Sequence, residues 1–185
     1  MAVREILTEP NKLLREKSLI VKEVDKDLQK LMNDMLETMY AAPGIGLAAI
    51  QVGVPKRVIV LDIGWRDKPE NTNDEKQKER KNPMYFVNPE IITKSANNST
   101  YEEGCLSVPG QFAEIDRPDK CHVKYLDYYG QPKELVAEGM LATCIQHEMD
   151  HLEGILFIDY LSKLKKTMII KKLSKQKNKV DRIVV

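Results

Sequence analysis

The sequence predicts an α+β fold: a single domain with antiparallel β-sheets around a central helix, an N-terminal helix and a C-terminal helix. Two observations carry that prediction. Apolar residues recur at helical spacing toward both ends of the chain, and β-branched runs joined by hairpin turns lie between them. With 185 residues, of which 42% are hydrophobic and 31% charged, the chain can bury one core but hardly two, so residues 1–185 are read as one domain. A net charge of +1 sets up no global field toward nucleic acid, and DNA is not expected as a partner. No apolar run reaches the roughly 18–20 residues of a membrane helix, and Met1 to Leu7 lack a secretory apolar core, so the expected location is the cytoplasm with no membrane contact. Three cysteines without a secretory signal argue against a disulfide framework and leave thiolate ligation open.

Taken in order, the first helix is expected from Asp25 to Tyr40, where Leu28, Leu31, Met32, Met35, Leu36 and Met39 share a face and Asp25 or Asp27 can cap. Pro43 and Gly44 end it. A glycine-rich stretch from Gly44 to Gln51 precedes Val58 to Ile63, a buried strand by its β-branched density, and the two are expected side by side. Residues 65–83 are mixed charges with Asn and Pro, read as a solvated surface insert. Strands are expected at Tyr85–Asn88, Glu90–Ile92 and Cys121–Tyr128, the last turning at Tyr129–Pro132 into a returning strand at Glu134–Ala137. A helix from Gly139 to Leu152 follows, with Gly154 placed to stop it. Residues 160–185 read as a basic C-terminal helix and tail, the helix running from Tyr160 to Lys177 with Leu161, Leu164, Met168 and Leu173 on its apolar stripe.

The helix over 139–152 carries His147-Glu148-Met149-Asp150-His151. Positions i and i+4 share a face, so His147 and His151 can bind one divalent ion with Glu148 beside it, an arrangement suited to hydrolysis. The bland alternative is two hydrogen-bonded histidines with no metal. A third ligand decides between them. The histidine that extended zinc-protease patterns place after the second His is absent, because Gly154 is followed by Ile155, Leu156 and Phe157, and the following helix offers mostly Lys, Leu and Ile. Upstream, Cys105 in Glu102-Glu103-Gly104-Cys105-Leu106-Ser107 is the best candidate, and a Cys with two His leaves the open position of a catalytic site. Residue type alone favours an inert buried thiol. Cys121 reads as core, and Cys144 as a pocket residue on the motif helix. Gly44, Gly46 and Ala49 also match a loose dinucleotide fingerprint, but they follow a helix and precede a strand, the reverse of what that motif requires.

Three motifs in order, Gly44 to Gln51, Glu103-Gly104-Cys105-Leu106-Ser107 and Gln146 to His151, resemble those of the peptide deformylases of bacteria and organelles. The resemblance implies removal of the N-formyl group from the formyl-methionine of newly made polypeptides, with release of formate. It implies Cys105, His147 and His151 as ligands of one divalent metal ion, ferrous iron natively, with zinc, nickel or cobalt able to replace it. Glu148 becomes the proton carrier, the Gln51 side-chain amide and Leu106 backbone N–H the oxyanion donors, and Gly46 a backbone contact to the peptide. Ile45, Tyr101, Met140, Thr143, Cys144 and His147 are implied to line the methionine pocket. Among nearby charged groups, Glu103 is expected to orient a ligand and Asp150 to pair with Arg117. Two departures bear on substrate preference and partners: the 65–83 insert is longer than in many members, and Phe112 stands where some carry arginine. The basic terminal helix resembles the extension by which some members dock on the ribosome. A small metallopeptidase using the same histidines and glutamate is the competing reading.

Overall fold

Asp25 caps the first helix, α1 (Lys26–Ala41), by accepting a hydrogen bond from the Leu28 N–H at 2.7 Å. Leu28, Met32, Met35 and Met39 on its inner face are almost wholly buried, each side chain contributing about 1.5–3 kcal/mol of burial. The computed structural model describes residues 2–64 and 81–180. Most of the expected charged insert, and the last residues of the tail, therefore lie outside the described residues.

The glycine-rich stretch forms a short strand, β1 (Gly46–Ala48), and a 3-10 turn over Ala49–Val52. As expected, it lies against β2 (Val58–Leu61), with Gly46 opposite Leu61. Every residue of β2 is buried, which accounts for its uninterrupted apolar run. β3 (Met84–Lys94) is one strand where the sequence suggested two segments. Asn88 sits there at φ 51° and the register shifts between Val87 and Glu90, a bulge fixed by two hydrogen bonds between the Asn88 side chain and the Val21 backbone. β6 (Lys120–Leu126) and β7 (Pro132–Glu138) form the expected hairpin. Together these strands make an antiparallel sheet of order β1-β2-β3-β6-β7.

The two strands of the second sheet carried no sequence signal of their own. β4 (Asn98–Cys105) and β5 (Val108–Pro118) pair antiparallel from Asn98 opposite Pro118 to Gly104 opposite Phe112, and the register shifts just before Cys105. That irregularity lies at the tip of the ribbon, where a bulge can re-aim a side chain.

The motif helix, α2 (Gly139–Leu152), has the expected bounds and packs between the two sheets, burying nine side chains from Ala142 to Leu152. Gly154 ends it at φ 74°, and a Cβ there would run into the Arg15 backbone carbonyl. The terminal helix corrects the expectation. It is α3 (Lys163–Val180), starting after Tyr160, because Phe157–Tyr160 forms a 3-10 turn held by the Asp159 carboxylate, which accepts from the Leu156 N–H and from Arg15 and Lys166. Its inner stripe also differs. Leu173, Ile169 and Ile170 pack on the core with Leu161, whereas Leu164 and Met168 are 72% and 62% exposed.

Candidate active site

Cys105 at the tip of β4 meets the two histidines of α2. Its Sγ and one ring nitrogen of each of His147 and His151 lie within 4.8 Å of one another, with Sγ 3.3 Å from His151 Nε2. His147 Nδ1 is 2.7 Å from Glu103 Oε2, so its Nε2 is the nitrogen free to turn toward the cluster. Arg117 donates to both Glu103 oxygens, at 2.5 and 3.0 Å, and to Asp150 Oδ2 at 2.8 Å. Tyr160 donates to the same Asp150 oxygen at 2.9 Å and lies under the Arg117 guanidinium. Glu103 thus contacts His147, where the sequence named no particular partner, and the expected Asp150–Arg117 pair joins it in one chain of contacts that Tyr160, which carried no sequence signal, closes.

Electrostatics follow from that wiring. Burial pushes the Glu103 carboxyl up, but hydrogen bonds from His147 and Arg117 hold it below its ordinary value. Burial likewise works against the His147 cation, yet Cys105 and Glu103 more than offset it and raise the imidazole well above its usual value. His151 goes the other way, lowered well below its ordinary value by burial and by the His147 and Arg117 charges, so it stands as a neutral donor.

A thiol and two imidazoles suit a borderline divalent ion. Tetrahedral bonds of about 2.0–2.3 Å place neighbouring ligand atoms roughly 3.3–3.8 Å apart, and the observed 3.3 Å between Sγ and Nε2 lies at the edge of that range. His151 Nδ1 and Glu148 Oε2 are buried with no hydrogen-bond partner among the described residues. Glu148 stands next to the cluster, and burial, helped by Glu103 and Asp150 against His147 and Arg117, pushes its carboxyl up to about 7. That value suits a group that takes and returns a proton near neutrality. Gly46 makes room for it, since a Cβ at this position would collide with the Glu148 carboxylate.

Gln51 is 1% exposed and fixed at its carbonyl end, where Oε1 accepts from the Ala48 N–H at 2.8 Å. Its amide nitrogen therefore faces Ser107 Oγ at 3.0 Å and Cys105 Sγ at 3.6 Å. Ser107, fully buried, accepts from the Gln51 amide, a contact the sequence did not reveal although Ser107 closes the Cys105 motif. A cavity of about 530 Å³ opens above these groups. Ile45, Tyr101, Met140, Thr143 and Cys144 line it with Gly46, Gln51, Leu106, His147 and Glu148, so the expected pocket set comes together. Arg117 and Asp150 do not line it. Burial, with Glu148 and Glu103 adding, pushes the Cys144 thiol up to about 12, so it stays protonated; Cys121 is 2% exposed in the core, as expected.

The family model for polypeptide deformylase matches residues 3–167. The chain belongs to that family. Peptide deformylase of Pelagibacter ubique is 64% identical over the whole length of both chains, and that of Maricaulis maris is 57% identical over 98% of each. Among solved structures, peptide deformylase from Ehrlichia chaffeensis superposes with a TM-score of 0.84 at 43% identity, covering 95% of this chain and 97% of its own. The same enzyme in complex with actinonin gives 0.85. The α+β architecture of antiparallel sheets with three helices is the fold of these relatives.

Proposed function

We propose that Cys105, His147 and His151 hold one divalent metal ion and that Glu148 moves the proton in this family's reaction. The activity itself follows from membership: the chain is a metal-dependent hydrolase that removes the N-formyl group from the formyl-methionine of new polypeptides and releases formate. The Cys–His–His cluster beside a buried, partnerless carboxylate oxygen is the observation that carries the residue assignment. When bound, the ion supplies Lewis-acid polarisation of a carbonyl and acidifies water. Glu148 takes a proton from the attacking water, then gives it to the amine as the formyl C–N bond breaks. The Gln51 amide, oriented by Ala48 and Ser107, and the Leu106 backbone N–H stabilise the charge that develops on the formyl oxygen; one such donor lowers the barrier by about 3–4 kcal/mol. Gly46 lies beside the substrate and leaves Glu148 its space. The apolar walls from Ile45, Tyr101, Met140, Thr143 and Cys144 suit an unbranched methionine side chain.

One thiolate and two imidazoles fit a borderline divalent ion without choosing among metals; the family resemblance supports ferrous iron as the native ion, with zinc, nickel or cobalt as substitutes. No helix among the described residues is long and apolar enough to cross a membrane. A substrate made on ribosomes supports a cytoplasmic location. The lysines of α3 support docking on the polyanionic ribosome, checked by salt-dependent co-sedimentation. Purification without oxygen, metal analysis, and assay of formate release beside cleavage of unformylated peptides tests the whole. Formate with an intact peptide chain supports the reading; cleavage of unformylated peptides supports the metallopeptidase instead.

A further inference from the structure

Beside the catalytic cavity lies a second hollow of about 750 Å³ between β5 and α3. The two are continuous along β5: Pro109 and Gly110 line the first, Gln111 and Phe112 line both, and Ala113 and Glu114 line the second. Phe112, 65% exposed, forms the crest between them, and its ring occupies the space beside Gly104 where a side chain would stand. The floor is apolar, made by Ala113 and by Leu161 and Ile169, which are half-buried against the core. Met168 lies open on the wall at 62% exposure, an unbranched and adaptable contact. The rim is cationic. Lys165, Lys171, Lys172 and Lys175 stand around it against Glu114, the one carboxylate among the described lining residues. Among the described residues none of these four lysines is in an ion pair, whereas Lys166 on the same helix is committed to Asp159.

We propose that this groove holds the segment of the substrate polypeptide that follows the formylated residue and selects acidic side chains there. The proposal rests on the deformylase reading of the adjoining cavity and adds to it a preference distant from the reacting bond. Continuity favours this occupant. A chain whose first residue sits in the cavity and which runs along β5 past Phe112 enters the groove, and an extended strand advances about 3.3 Å per residue, so a few residues suffice. Charge fits as well, because a carboxylate there meets unpaired ammonium groups over an apolar floor.

The test uses the metal-loaded full chain and formyl-Met-Ala-Ser, alone or extended by short tails rich in Asp, in Gly and Ser, or in Lys. The expected result is a kcat/KM roughly tenfold higher for the Asp tail than for the Lys tail at low salt, carried by KM with kcat unchanged and erased as salt rises. Replacing Lys165, Lys172 and Lys175 together by Gln should abolish that difference and leave hydrolysis of formyl-Met-Ala-Ser unchanged. Turnover of the tail-less peptide reports on the deformylase reading alone. Fluorescence anisotropy of a labelled, unformylated Asp-tailed peptide reports groove occupancy without turnover, and should show binding that the triple variant loses. Equal kcat/KM for all three tails with no such binding overturns the proposal. So does an RNA oligonucleotide bound through these lysines by a chain indifferent to the peptide tail.

Discussion

Asp34 on α1 and Glu148 on α2 are both buried carboxylates, at 1% and 5% exposure, yet their surroundings drive them in opposite directions. Asp34 accepts from the Ala2 backbone N–H, Lys30 and Arg4, each at 2.9 Å. Those donors, the Ala2 N–H first, hold it well below the usual carboxylate range although burial opposes them. Glu148 has an oxygen with no partner among the described residues, and burial pushes it up to about 7. Solvent is kept from both side chains, but Asp34 lies just under the surface whereas Glu148 sits deep in the molecule, so depth and partners act together. A saturated carboxylate clasps the N-terminal segment to α1, while an unsaturated one, kept so by Gly46, is left for a proton.

The sharpest way to break this contrast is to crowd the unsaturated member. Gly46→Ala pushes a methyl group into the Glu148 carboxylate, and kcat for formate release should fall roughly 10²-fold with metal content retained, since displacement by about 1 Å at a reacting group has that effect. Glu103 lies between the extremes, buried and saturated but touching His147, a proposed ligand. Glu103→Gln should weaken metal retention about 10–100-fold, read by competition with a chelator, through the loosened His147 and Arg117. The smallest effect is expected at the clasp. Asp34→Asn should cost roughly 1–3 kcal/mol in chemical denaturation, reduced by the partial exposure of Lys30 and Arg4, and leave kcat/KM untouched. Because the folded Asp34 pKa is depressed, its stabilisation is fully present above the unfolded value of about 3.9 and is lost as pH falls toward the folded value. The gap between wild type and Asp34→Asn should therefore hold near neutrality and close in acid; a gap that widens there would contradict the assignment.

How much of this was legible in the sequence varied with the range of the forces involved. The α2 bounds, the Asp25 cap and the i, i+4 histidines arise from local geometry, so periodicity and spacing revealed them. The pair β4 and β5 escaped notice because its residues are charged or exposed on most positions, with only Glu103, Val108, Ile115 and Arg117 buried. The β3 bulge depends on Val21, 67 residues from Asn88, and the start of α3 on an Asp159 turn held by Arg15, 144 residues away. Ser107 has its place through Gln51, 56 residues distant, and Tyr160 its place through Asp150 and Arg117. Contacts of that range leave no local pattern.

The proposed division of labour gives the metal to Cys105, His147 and His151 and the proton to Glu148. Its most direct test is metal content and formate release measured together on Glu148→Ala, purified without oxygen beside wild type. The account predicts a full complement of metal with formate release lower by at least about 10²-fold. A variant that keeps its metal and still releases formate at the wild-type rate would contradict it.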